Sequence, residues 1–248
     1  MQQLGLIGFP LSHSFSKKYF TEKFEKEKLS GYSYELYPLA SIDQYPALIE
    51  KTGDLVGLNV TIPYKESIIP FLDTLDPLAE KIGAVNCIKF ENGKSKGYNT
   101  DAFGFKQSIK PFIETQHERS LILGTGGASK AIFHVLNEIG IDCYFVSRDK
   151  SQLNTNKAFN YDELNEYVMN AFKLIVNTSP VGTFPSTQEF PAIPYEYTGK
   201  GYLLYDLIYN PEETQFLKKG RAQGAVGING LSMLQQQAEE AWRIWTQK

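Results

Sequence analysis

Apolar positions in the first hundred residues switch between two periods. Residues 3–8 (QLGLIG) form a short apolar run closed by Gly8 and Pro10, which predicts a strand. Over 17–28, Tyr19, Phe20 and Phe24 share one stripe among charges, the signature of a helix. Residues 32–37 alternate as a half-buried strand does. The pattern then predicts a helix over 42–51, a strand over 55–61 ended by Pro63, a helix over 64–72 and a short helix over 77–82. Strands over 85–90 and 96–98 flank ENGKS, whose Asn92-Gly93 pair predicts a hairpin. A helix over 102–112 follows.

Beyond it the pattern changes. Residues 120–124 (SLILG) are a continuous apolar run, as in a strand buried on both faces. A glycine cluster and the helical stripe Ala131, Ile132, Val135 and Leu136 come next. Further strands are expected over 143–147, 174–177, 203–206 and 225–228. Strands alternating with helices after a glycine-rich first turn predict a doubly wound parallel sheet. The last segment, 231–245, has apolar residues at 231, 234, 238, 241, 242 and 245, a 3.6-residue period. The halves divide near residues 99–105.

Composition narrows the function classes. The chain has 248 residues, 42% hydrophobic and 21% charged, enough for one large or two smaller globular domains. Its net charge of −3 is spread evenly, 11 basic against 13 acidic residues to Ala102 and 14 against 15 thereafter, which argues against a general nucleic-acid binder. Cys87 and Cys143 make no disulfide framework and read as small core residues; His13, His117 and His134 lack metal-ligand spacing, so no metal is expected. The N-terminus lacks a signal-peptide pattern and no apolar run is long enough to span a membrane. These features fit a cytoplasmic setting without membrane contact.

Five clusters carry candidate chemistry. Gly124-Thr-Gly126-Gly127-Ala128-Ser129 follows a buried strand and opens a helix, where backbone N–H groups hold a pyrophosphate. Ser129 replaces the third glycine of the usual fingerprint. At the end of the next strand, Ser147-Arg148-Asp149 sets a guanidinium where a ribose 2′-phosphate would lie, which favours NADP over NAD, although Asp149 adds a like charge to that place. Lys65, after Asn59-Val-Thr61-Ile-Pro63-Tyr64, and Asp101, in Asn99-Thr100-Asp101, could exchange a proton with a substrate hydroxyl at the domain junction. Ser14 and Ser16 follow the first strand. Their hydroxyls could bind a carboxylate, or Ser16 could be the N-cap of the helix from Lys17; the sequence leaves both open.

In order, Gly8-x-Pro10-x-x-His13-Ser14-x-Ser16, Gly57-x-Asn59-Val-Thr-Ile-Pro63-Tyr-Lys65, Gly83-Ala-Val-Asn86, Tyr98-Asn-Thr-Asp101, the glycine cluster, Asn177-Thr-Ser-Pro180-Val-Gly182, Tyr205-Asp-Leu-Ile-Tyr209-Asn-Pro211 and Asn229-Gly-Leu-x-Met-Leu234-x-x-Gln237 resemble the shikimate dehydrogenase family over nearly the whole chain. The resemblance implies two domains. The first is an α/β substrate-binding, catalytic domain over 1–102, with 231–248 returning to it as a helix. The second is a Rossmann-type dinucleotide-binding domain over 103–230. It implies reversible NADPH-dependent reduction of 3-dehydroshikimate to shikimate in aromatic biosynthesis. Lys65 then corresponds to the catalytic lysine and Asp101 to its partner. Ser14 and Ser16 correspond to carboxylate binders, and Thr61, Asn86, Tyr209 and Gln237 to substrate contacts. Gly126, Gly127, Ala128 and Ser129 correspond to the pyrophosphate loop, Ser147 and Arg148 to the adenosine-phosphate site, and Leu207 and Gly230 to neighbours of the nicotinamide.

Where the family commonly reads Asn-Arg-Thr this chain has Ser147-Arg148-Asp149, which bears on cofactor preference and not on reaction type. Three rivals share this architecture: a quinate/shikimate dehydrogenase using NAD, a non-catalytic shikimate- or dinucleotide-binding regulator, which would be expected to lose Lys65 or Asp101, and a folate-linked dehydrogenase, which would not need the paired Ser14 and Ser16. The expected partner is a small-molecule substrate, with the chain a monomer or a homodimer.

Overall fold

The structure, a computed structural model of the chain, describes residues 1–11, 14–53, 55–153 and 155–247. Ser12 and His13 of the first motif lie outside them. The chain forms two compact units, residues 1–100 with 238–248 and residues 101–237. The expected boundaries at 102/103 and 230/231 differ from these. The reason for the second difference is that the last helix is continuous, and its early and late turns pack on different units.

In the first unit, strands β1 (Gln2–Gly8), β2 (Tyr32–Pro38), β3 (Leu55–Val60), β4 (Thr74–Leu75), β5 (Cys87–Glu91) and β6 (Lys94–Tyr98) form one sheet in the order β2-β1-β3-β5-β6-β4. β1 pairs in parallel with β2 and β3, and β5 runs antiparallel to β3 and β6. The β5–β6 hairpin turns on Asn92 and Gly93, both at positive φ (53° and 73°), the backbone of a type I′ turn. Alternation along β1 sends Leu4 and Leu6 to one apolar layer and Ile7 to the other. Helix α1 (Phe15–Lys26) covers the first layer through Phe20 and Phe24. Helices α2 (Tyr45–Thr52) and α3 (Pro77–Ile82) supply Tyr45 and Ala79 to the second.

The helix expected over 64–72 is not an α-helix. Ile68 donates its N–H to the Tyr64 carbonyl at 3.0 Å, giving one α-like turn, and the chain then tightens into a 3-10 turn over Ile69–Phe71. Pro70 is the cause: it has no N–H to continue the ladder, and its ring crowds the preceding turn. Tyr64 and Ile68, four apart and both buried, imitate the helical period.

In the second unit β7 (Arg119–Leu123), β8 (Asp142–Ser147), β9 (Ala158–Asn160), β10 (Leu174–Asn177), β11 (Leu203–Asp206) and β12 (Val226–Ile228) form an all-parallel sheet in the order β12-β11-β10-β7-β8-β9. Counted from β7 this is the 3-2-1-4-5-6 order of a doubly wound dinucleotide fold, with its switch point between β7 and β10. Leu121, Leu123, Ile175 and Leu204 build one face of the core, against Phe216 and Leu217 of α7 (Gln215–Ala222). Helix α4 (Thr100–Ile109) stacks Phe105 edge-on to Tyr205 at 5.1 Å, and Ser108 Oγ shares a 2.6 Å hydrogen bond with the Tyr205 hydroxyl. Helices α5 (Gly127–Glu138) and α6 (Glu166–Ala171) complete the connections.

The last helix, α8 (Leu231–Thr246), spans the division. In the second unit a Cβ on Gly104 of α4 would lie 2.5 Å from the Met233 carbonyl oxygen and 3.0 Å from the Gln237 nitrogen, so a glycine lets these helices meet. In the first unit Ala238, Ala241, Ile244 and Trp245 enter the α1 core layer. The Trp245 indole lies where a Cβ on Gly57 would be, 2.1 Å from Nε1, and that Nε1 donates to the Ile88 carbonyl at 2.9 Å. The C-terminal helix thus returns to the first unit's sheet. Both cysteines are free and buried, as their apolar settings suggested. Among the described residues no helix is long and apolar enough to cross a membrane.

Candidate active site

In the first unit the candidate residues gather at the carboxyl ends of β1 and β3. These strands are parallel neighbours, so the segments that leave them run side by side. Thr61 donates its N–H to the Ile7 carbonyl at 2.9 Å, and Phe9 donates to Ile62 at 3.0 Å. A Cβ on Gly8 would lie 2.4 Å from Thr61 Cγ2, so this glycine lets Thr61 sit against β1. Lys65 is half-buried in the following turn, and its carbonyl accepts the Val85 N–H at 2.7 Å, which ties the turn to the segment entering β5.

Asn86 is buried at that entry. Its Oδ1 accepts the Thr100 N–H at 2.6 Å and its Nδ2 donates to Thr100 Oγ1 at 3.0 Å. Its carbonyl takes the Val60 N–H at 2.9 Å and Asn59 Nδ2 at 3.3 Å. Asn59 in turn accepts the buried Tyr34 hydroxyl at 2.8 Å. Burial holds that phenol well above its ordinary pKa, so it serves only as a neutral group, and the Ser16 hydroxyl lies within its reach. Asn59, Tyr34 and Thr100 were not among the residues singled out by the sequence. Asn59 and Thr100 lie inside the quoted motifs, but nothing local shows that their side chains fasten Asn86.

Ser14 and Ser16 separate in role. The helix starts at Phe15 and Ser14 is its N-cap, accepting the Lys17 N–H at 3.3 Å. Ser16, the residue for which capping was the alternative, is already in the first turn, because the helix begins two residues before its first charged position.

In the second unit Asp101 is buried on the first turn of α4, one turn from Gly104, where Gln237 of α8 packs. Gly124 closes β7 at φ 114°, in the left-handed half of backbone space. A Cβ there would lie 2.8 Å from Thr178 Oγ1 at the end of β10, so the glycine turn sits at the switch point. Gly126 is the N-cap of α5, and a Cβ on it would meet nothing within 4 Å. The first turn of α5 carries no acid. Ser129 is buried, with its hydroxyl turned back to the Gly126 carbonyl at 2.6 Å, which braces the loop from inside.

At the end of β8, Ser147 Oγ accepts the Asp149 N–H at 3.2 Å, and Arg148 is exposed. Asp149 caps the 3-10 turn Lys150–Gln152, taking the Ser151 hydroxyl at 2.6 Å and N–H at 3.0 Å, and Gln152 Nε2 at 2.9 Å. The Ser151 bonds, with the Gln152 amide, hold its carboxyl below the usual range. The acid that complicated the 2′-phosphate reading is thus committed to its own turn. Leu207 and Gly230 lie together: a Cβ on Gly230 would fall 2.0 Å from the Leu207 carbonyl oxygen, and Gly230 N–H donates to Ile208 at 3.0 Å. Tyr209, two residues on, is half-buried, and burial raises its phenol above the ordinary value.

An open glycine before a three-turn helix, and an exposed arginine at the next strand's end, suit a phosphorylated dinucleotide. Among the described residues no group of three His, Cys, Asp or Glu side chains could hold a metal ion.

A glycine-rich turn at the switch point of a 3-2-1-4-5-6 sheet defines a Rossmann-type α/β protein, here carrying a second α/β unit with its own polar cluster. Residues 6–88 match the shikimate dehydrogenase substrate binding domain. The chain is 39% identical to the NADP(+) shikimate dehydrogenase of Caldanaerobacter subterraneus, covering 98% of this chain and 90% of the relative. It is 37% identical to that of Methanosphaera stadtmanae, covering 98% and 91%. Shikimate 5-dehydrogenase from Thermus thermophilus, solved with NADP(H) and shikimate, superposes with a TM-score of 0.86 at 30% identity, over 99% of this chain and 94% of that one. The chain belongs to the shikimate dehydrogenase family.

Proposed function

We propose that the protein is an NADP-dependent shikimate dehydrogenase, which reversibly reduces the 3-keto group of 3-dehydroshikimate to give shikimate in aromatic biosynthesis. The observation that carries this reading is the pairing, in one family member, of the Asn59–Asn86–Thr100 polar cluster beside Lys65 with a glycine turn at a Rossmann switch point. In this reading the first unit holds the substrate and the second the dinucleotide.

A bound reduced nicotinamide supplies the hydride. The chain's own work is to hold the ring acid and to move a proton. Ser14 and Ser16 donate to the substrate carboxylate, and Thr61, Asn86, Tyr209 and Gln237 contact the substrate. Lys65 gives a proton to the carbonyl oxygen as that oxygen gains charge, and takes it back in the reverse direction. Asp101 has the partner role that the family resemblance gives it, orienting lysine and hydroxyl. The α5 N-terminus, with Gly126, Gly127 and Ala128, binds the pyrophosphate while Ser129 braces that loop. Ser147 and Arg148 take the 2′-phosphate, and Leu207 and Gly230 flank the nicotinamide. A cytoplasmic setting, and a monomer or homodimer, complete the reading.

Assaying shikimate and quinate, each with NADP and NAD, tests it. Shikimate with NADP should be the best pair. Quinate with NAD as the best pair would favour the rival dehydrogenase, and turnover of neither acid would favour the regulator.

A further inference from the structure

The motifs Asn177-Thr-Ser-Pro180 and Tyr205-Asp-Leu-Ile-Tyr209 meet at one carboxylate that the reaction as described leaves unused. Asp206 ends β11 and is fully buried. Its Oδ1 accepts Asn177 Nδ2 at 3.0 Å and the Ile208 N–H at 3.1 Å, and its Oδ2 accepts the Thr214 hydroxyl at 2.6 Å. All three partners donate to the ionised carboxylate. Asn177 Oδ1 is engaged by the Ser179 N–H at 3.1 Å, which turns the amide nitrogen toward Asp206. Thr214 is the N-cap of α7, with its oxygen accepting the Leu217 N–H at 3.3 Å.

Three segments therefore end on one carboxylate: the end of β10, the start of α7, and the segment after β11 that carries Leu207 and Tyr209. That last segment is held again at the Leu207 N–H by the Asn177 carbonyl at 3.0 Å, at the Ile208 carbonyl by Gly230, and at the Asn210 carbonyl by the Phe184 N–H at 3.1 Å. Its backbone is fixed while Leu207 and Tyr209 stay half-buried.

We infer that Asp206, braced by Asn177 and Thr214, is a positioning residue that sets where Leu207 and Tyr209 stand for hydride transfer. The inference rests on the proposed placement of those two residues beside nicotinamide and substrate. A buried carboxylate is a costly way merely to close a turn, and burial pushes its pKa up to about 6 against the pull of its three donors. Its four lone-pair sites let one side chain take all three bonds, where an asparagine would turn an NH2 toward one of the donors. Small misplacements remote from the reacting atoms are enough to slow an enzyme severely.

The test compares Asp206→Asn, Thr214→Val, Thr214→Ser and Tyr209→Phe in shikimate oxidation by NADP, with binding of 2′,5′-ADP, which lacks the nicotinamide, as the second readout. The expected result is a kcat lowered roughly tenfold to a hundredfold in Asp206→Asn and Thr214→Val, near-normal kcat in Thr214→Ser, and unchanged 2′,5′-ADP affinity in all. Should Asp206→Asn not fold, the valine–serine pair at 214 decides alone. Lower thermal stability with unchanged kcat, or a parallel loss of 2′,5′-ADP binding, would overturn the inference. A raised shikimate KM in Tyr209→Phe beside normal kcat in Thr214→Val overturns the positioning role only. Unchanged constants in Tyr209→Phe overturn the site reading beneath it.

Discussion

Ser14 Oγ accepts the Lys17 N–H at 3.3 Å, so the serine that opens α1 uses a lone pair for the helix in a bond that does not engage its hydroxyl hydrogen. Capping and carboxylate binding are therefore compatible in one side chain, and two substitutions separate them. Ser14→Ala should cost about 0.5–2 kcal/mol of stability and raise the shikimate KM. Ser14→Asp keeps an acceptor for the Lys17 N–H but sets a negative charge before the substrate carboxylate. It should unfold like the wild type and bind shikimate worse. A normal KM in Ser14→Asp would confine Ser14 to the cap.

Arg148 should discriminate the cofactors. Asp149 is bound to Ser151 and Gln152, which leaves the arginine as the group at the β8 end suited to a 2′-phosphate. Arg148→Ala should lose roughly 1.5–3 kcal/mol of NADP binding, the worth of a hydrogen bond to a charged group, while NAD binding stays constant. Titration calorimetry with both cofactors checks this, and an equal loss for both would make Arg148 structural.

Five of the six strands of the second unit were legible as short, largely apolar runs; β10 and β11 fall where the run alone places them. Edge strands β4 and β9 were not, since two and three residues carry no period. Helices α6 and α7 were missed for a related reason: Met169, Phe216 and Leu217 are too few to set a stripe in such short elements. At the site, residue types in motifs were readable and their partners were not. Asn86 meets Thr100, and Asp206 meets Asn177 and Thr214, through pairings that only the folded chain creates. The commitment of Asp149 to its own turn is local, and the Asp-x-Ser spacing was the available signal.

His117 should make the fold sensitive to mild acid. It is buried, with Nδ1 accepting the Glu114 N–H at 3.0 Å, a bond open only to the neutral ring. Burial lowers its pKa below the ordinary value of 6.5. The unfolded chain then binds the proton first, so this contribution is complete above about pH 6.5 and declines as pH falls below it toward the folded value. His117→Gln keeps an acceptor and does not titrate. Urea midpoints at about pH 7.5 and about pH 5.5 should fall further apart in the wild type than in the variant. Equal differences in both would exclude His117 as the source.

The central claim is that Lys65 moves the proton in shikimate oxidation, and the most direct measurement is kcat with shikimate and NADP for Lys65→Ala, Asp101→Ala and the double variant, followed by absorbance of the reduced cofactor. Each single substitution should lower kcat by roughly 10²–10⁴ and leave NADP affinity intact. The double variant should be little worse than the worse single one, as for groups acting as a unit. A Lys65→Ala enzyme with near-normal kcat would contradict the account.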